Sequence, residues 1–177
     1  MLIMQKSLDD TNNQQERLAD VAWLAGIWEG EGSFSIVQGS KGRMFPRGSI
    51  VNCDFTLIDE MMRILKENNV GHYVQLRVHG TKHNPNHNHA KIIYVYGMRR
   101  TANLINLLMP FLKGKKRIVA AKVLEYITHR LVAGKARYAV YETALIEEVR
   151  MLNRKGPQES SETIRRPSLE EDIVQVA

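Results

Sequence analysis

From Asn13 to Glu29 apolar residues recur at helical spacing, with Leu18, Val21, Ala22, Ala25 and Trp28 on the repeat and Leu24 and Ile27 alongside. The spacing predicts a helix that stops at Gly30 and Gly32. The run SFSIV from Ser33 alternates small polar with apolar residues, a strand pattern, and GSKGRMFPRGS supplies Gly and Pro for a loop before a returning strand at SIVNC. Asp54 or Thr56 can cap a helix through LIDEMMRILKEN, where Leu57, Met61, Ile64 and Leu65 make one apolar stripe. After Gly71, HYVQLRVHG and KIIYVYGM read as a second hairpin with TKHNPNHNHA as its tip. Three more helices are predicted: Thr101 to Leu108, ended by Pro110; near Lys116 to about Leu131; and Tyr138 to Leu152. The order α-β-β-α-β-β-α-α-α predicts an α/β (α+β) fold in which helices cover one face of an antiparallel sheet.

Composition narrows the class. The 177 residues suit one domain, read as 1–155, followed by a charged segment, 156–177, expected as a short helix or partly ordered tail. Cys53 is the single cysteine and cannot form an internal disulfide, which places the chain in a reducing, intracellular setting. No apolar run approaches the ~20 residues of a membrane span, and the start lacks a signal-peptide core, so membrane and secreted classes are set aside. The net charge of +6 suits a polyanion such as nucleic acid.

Two features of the first helix carry chemistry. Ala22, Gly26 and Gly30 recur every fourth residue, a stripe of small side chains that packs against the chain's own sheet or lets a second helix approach closely. Trp23, Leu24, Ile27 and Trp28 already offer apolar surface to the core, which favours a dimer interface at Ala22, Gly26 and Gly30. Glu29 and Glu31 follow at the helix end, where acids oppose the dipole. Paired with symmetry mates, such carboxylates repel unless a divalent cation or a shared proton relieves them.

The nonapeptide LAGIWEGEG, Leu24 to Gly32, resembles the signature of the LAGLIDADG homing endonucleases, with Glu for both acids. A single copy is similar to the homodimeric class of that family. PFLKGKKR (110–117) and LNRKGPQESSETIRR (152–166) resemble further segments of it, so the likeness covers most of the chain from about Arg17. The resemblance implies a DNA-binding sheet saddle and an α-β-β-α-β-β-α core with extra C-terminal helices. It implies a site-specific, Mg²⁺-dependent double-strand DNA endonuclease cutting a long pseudo-palindromic target, intron-encoded, in a prokaryotic cytoplasm or nucleoid or an organelle matrix. It makes Glu31 catalytic and metal-binding, with the Gly30 carbonyl as a further metal contact and Glu29 structural. Lys115 matches the active-site lysine, with Lys116 as the fallback. Where the family places a Gln to order solvent, this chain has Asn52, Cys53 and Asp54; Asn52 can do that work, and Asp54 is more simply a cap. A non-cleaving maturase that binds intron RNA on the same scaffold is the alternative.

Alternation picks out the DNA-reading candidates on the expected saddle. Ser33, Ser35 and Val37 share a face, the following loop adds Gln38, Lys41, Arg43 and Arg47, and the second hairpin offers Gln75, Arg77, His79, Tyr94 and Tyr96. Polar alternation by itself marks a solvated sheet face; with the resemblance it implies base readout. His83, His87 and His89 in the tip have no Cys or acid near them to complete a zinc site, and a phosphate-contacting loop fits them better.

Overall fold

Phe34 and Ile36 are buried while Ser33 and Ser35, which alternate with them, are not, so the alternation of the first strand becomes the two sides of a sheet. The computed structural model describes residues 2–77, 89–134 and 136–154, with side chains from Asn13 onward and that of Lys41 excepted. In chain order the elements are α1 (Leu2–Glu31), β1 (Gly32–Gln38), a 3-10 turn (Ser40–Gly42), β2 (Met44–Asn52), α2 (Phe55–Glu67), β3 (Tyr73–Arg77), β4 (Ala90–Tyr96), α3 (Met98–Leu108), α4 (Gly114–Ala133) and α5 (Val140–Asn153). The strands form one antiparallel sheet in the order β1-β2-β4-β3, so β2 and β4 are central. The predicted element order stands.

The helices cover one side of this sheet. Leu24 and Trp28 of α1, Ile58 and Met61 of α2, Leu104 and Ile105 of α3 and Tyr126 of α4 are fully buried with Phe34, Ile93 and Val95. Trp28 stacks on Phe34 with ring centroids 5.8 Å apart. That contact dictates two glycines: a Cβ on Gly32 would collide with the Trp28 ring, and one on Gly48 would lie 2.6 Å from Leu104 and 3.2 Å from Trp28.

Several boundaries move. Helix α1 starts at Leu2, far ahead of Asn13, and Leu18, expected on the apolar repeat, is exposed along with the rest of residues 13–19. It also continues through Gly30 to Glu31. Trp23 is exposed rather than part of the core, and Ile27 is only half-buried. Strand β2 starts at Met44, so Pro46, Arg47 and Gly48 belong to a strand and not to the predicted loop. Pro46 is tolerated because it lies one residue beyond the last β2–β4 rung, Arg47 opposite Tyr96. Its carbonyl accepts from Gly97 N at 3.2 Å and Thr101 Oγ1 at 3.1 Å, tying the start of α3 to the sheet. Asp54 is the cap of α2, its carboxylate accepting from Leu57 N at 3.1 Å.

A buried polar clasp fixes α4 and α5 behind the sheet. Glu142, with no exposed surface, accepts from Arg130 Nη1 at 3.1 and 3.2 Å, from Ala139 N at 2.8 Å and from His129 Nδ1 at 3.0 Å. Arg130 Nη2 donates to the Gly134 and Ala136 carbonyls, and its guanidinium lies 4.6 Å from the Tyr138 ring centre. Tyr138 Oη accepts from Met44 N at 2.8 Å, and Asn153 Nδ2 donates to Phe34 O at 2.8 Å, so both ends of α5 are anchored to strands. Desolvation pushes the Glu142 carboxyl up, but the bonds from His129, Ala139 N and Arg130 outweigh it and hold the group below the ordinary carboxylate value.

Candidate functional site

The sheet side away from the helices is assembled by register. Its rungs are Ser33–Ser49–Tyr94–Tyr73, Ser35–Arg47–Tyr96, Val37–Phe45, Val51–Ile92–Gln75 and Ala90–Arg77. Ser33, Ser35, Val37, Gln75, Arg77, Tyr94 and Tyr96 are thus on one face, as the alternation predicts, and Arg47, expected in the loop, joins them from β2. The same rungs add Phe45, Ser49, Val51, Tyr73 and Ile92. Phe45, Ser49 and Val51 became legible only once β2 was known to begin at Met44.

The face is aromatic at its centre. Tyr73 and Tyr94 stack at 5.1 Å between centroids, Phe45 and Tyr96 lie 6.0 Å apart, and the Arg47 guanidinium sits 5.6 Å over the Tyr94 ring. Burial raises the Tyr73 hydroxyl above its ordinary value, with Tyr94 and Tyr96 adding to the effect and Arg47 opposing it. Gln38 and Arg43 are exposed at the far end of the β1–β2 hairpin. His79, His83 and His87 and the side chain of Lys41 lie outside the described residues; His89 is exposed just ahead of β4.

The signature acids lie where α1 enters the sheet. Glu31 is exposed one residue ahead of the first rung, Gly32 opposite Ile50. Glu29 points elsewhere: its Oε2 accepts from Lys113 N, the N-cap of α4, at 3.0 Å. The acid that opposes the dipole of α1 therefore sits on the positive end of α4. Lys116 Nζ donates to the Gly32 carbonyl, and Lys115 beside it is exposed. Burial lowers the Lys116 ammonium below the ordinary lysine value; Glu29 and Glu31 oppose the shift and Lys115 reinforces it. Asn52 is half-buried and its Oδ1 accepts from Asp54 N at 2.8 Å, which commits that oxygen to the turn before α2.

The small-residue stripe faces away from the chain's own core. The buried side of α1 is Val21, Leu24, Ala25 and Trp28, whereas Gly26 and Gly30 are exposed and a Cβ at either would meet nothing within 4 Å among the described residues. Ala22 is half-buried on the same side as the glycines.

No family model and no curated protein matches the chain. Solved structures do. The chain matches I-CvuI, a homing endonuclease in complex with its target, at TM-score 0.61 and 20% identity, over 81% of this chain and 87% of that one. It matches the homing endonuclease I-TnaI at TM-score 0.53 and 18% identity, over 77% of this chain and 89% of that one. The chain has the LAGLIDADG homing-endonuclease fold. The I-SmaMI LAGLIDADG homing endonuclease, bound to cleaved DNA, gives TM-score 0.54 at 14% identity, over 79% of this chain but 45% of that one. In the LAGLIDADG fold of this chain, LAGIWEGEG is the last two turns of α1 and its junction with β1. Glu31 there adjoins the α4 lysines, the open sheet face and the bare side of α1.

Proposed function

We propose that the protein is a site-specific DNA endonuclease that works as a homodimer and hydrolyses phosphodiester bonds with Mg²⁺. The observation that carries this reading is the exposed Glu31 carboxylate, placed where the bare helix face, the outward sheet face and the Lys115–Lys116 pair meet. Among the described residues no three acids, His or Cys cluster to hold a metal alone. A second chain packed along Ala22, Gly26 and Gly30 would bring its own Glu31 close, and the hard oxygens of two carboxylates and the Gly30 carbonyls fit Mg²⁺. Coverage of nearly all of I-CvuI but under half of I-SmaMI supports a chain that is one half of a working unit.

Bound there, the metal would lower the pKa of an attacking water and neutralise charge developing on the phosphate. The chain's residues do the rest. The β1–β2 and β3–β4 hairpins lie in the major groove, with Arg47, Gln75 and Arg77 contacting base edges. Exposed Lys115 offers an ammonium to the phosphate undergoing attack. Lys116 is tied to Gly32 O and Glu29 to Lys113 N, so both position the junction that presents Glu31 and Lys115. Asn52 is left with its amide NH₂ as the group that can order water. A maturase that only holds RNA leaves the exposed Glu31 without work, which favours cleavage.

Cleavage selection from a pool of randomised duplexes in Mg²⁺ tests the reading. The wild-type protein is expected to cut a recurring sequence and Glu31→Gln to cut none. Wild-type cleavage rates in Glu31→Gln, or no cleavage by the wild-type chain under any divalent ion, would refute it.

A further inference from the structure

Few groups on the outward face can read a base by paired hydrogen bonds. Arg47, Gln75 and Arg77 have the bidentate geometry that recognises guanine or adenine; single serine hydroxyls at Ser33 and Ser49 accept any base, and the Ser35 hydroxyl is buried. The central strands present a different chemistry. Phe45 and Tyr96 neighbour each other at 6.0 Å, Tyr94 stacks on Tyr73 at 5.1 Å, and Val51 stands opposite Ile92. Arg47 is itself partly spent on this surface, lying over the Tyr94 ring with its Nε buried and, among the described residues, unpartnered.

The major-groove edge of a G·C pair shows the G N7 and O6 acceptors and the C N4 donor, with only the small cytosine C5–H between them and the backbone, and pressing those polar atoms onto rings and aliphatic side chains strips water without replacing its hydrogen bonds. Thymine alone offers a methyl there, at C5. We propose that the apolar rungs of β2 and β4 read thymine methyls, so that the recognised DNA is rich in A·T pairs opposite Phe45, Val51, Tyr94 and Tyr96, with the buried Ile92 backing Val51 from the next strand. Purine-specific contacts are confined to Arg47, Gln75 and Arg77. This inference rests on the DNA-binding reading above and specifies the substrate of that same face.

The test uses the full chain. Duplexes are selected from a random pool by binding, and each recovered thymine is then replaced singly by uracil, which removes the methyl and keeps the pairing. The expected result is thymine-enriched half-sites and a loss of about fourfold in affinity for each contacted methyl. Val51 is 42% exposed, so Val51→Ser leaves the core intact. That variant should bind thymine and uracil duplexes equally at one position and keep the uracil penalty elsewhere. Selected half-sites rich in G·C, uracil substitution without cost, or a full uracil penalty at every position in Val51→Ser would overturn the inference while leaving the endonuclease reading standing. If no duplex is enriched at all, both fall.

Discussion

Replacing Glu29 separates its structural work from the chemistry assigned to Glu31. The Glu29 carboxylate bonds the N-cap amide of α4 at 3.0 Å. In Glu29→Ala that amide loses its acceptor at the end of a 20-residue helix. A cap of this kind contributes about 1–2 kcal/mol. In Glu29→Gln the acceptor oxygen remains and only charge is lost. Negative charge helps the start of α4 and hurts the end of α1 by similar amounts, about 0.3–1 kcal/mol each, so the net change is expected within about 0.5 kcal/mol. With a urea slope near ~2 kcal/mol/M, Glu29→Ala should unfold ~0.5–1 M earlier and Glu29→Gln close to wild type. Both variants should retain cleavage at a reduced rate, since α4 carries Lys115 and Lys116, whereas Glu31→Gln should retain full stability and no cleavage. Equal urea midpoints for Glu29→Ala and wild type, or equal destabilisation by Ala and Gln, would refute the capping role. Loss of all cleavage without loss of stability would instead make Glu29 a metal ligand.

Glu142→Gln leaves the Arg130 guanidinium buried without its counter-charge and should cost about 3–5 kcal/mol by urea unfolding. Because the folded Glu142 carboxyl is held below its ordinary value, its stabilisation is complete above the carboxylate range and is lost as pH falls through that range toward the depressed folded value; a pH series of melts should show this acid limb shallower in Glu142→Gln. Gly32→Ala forces a methyl into the Trp28 ring and should lower stability by about 1–3 kcal/mol, read in the same unfolding assay. Arg77→Ala should weaken binding to the selected duplex by about 1–3 kcal/mol and relax preference at one base pair in a competition assay, while Lys115→Ala should reduce cleavage far more than binding.

The order of elements, the cap at Asp54 and the two-sided alternation of β1 and β4 were legible in the chain, because each depends on residues within a turn or two of one another. The small stripe of α1 was legible from its spacing, and likeness to a known signature singled out Glu31 and Lys115 as the candidates to test. What sequence could not supply was pairing. Pro46 and Gly48 read locally as loop residues, yet β2 runs through both: the β4 ladder ends one residue short of Pro46, and Leu104 and Trp28 leave no room for a side chain at Gly48. That register placed Phe45, Ser49 and Val51 beside Arg47 and the tyrosines. Glu29 is the clearest case. At the end of its own helix a carboxylate is unfavourable, and only the arrival of α4, 84 residues later, turns it into a cap. Local spacing therefore determined which helices and strands form and which side chains carry charge. Tertiary packing decided which of those charges meet, because dipoles, registers and close approaches join residues that no sequence window contains.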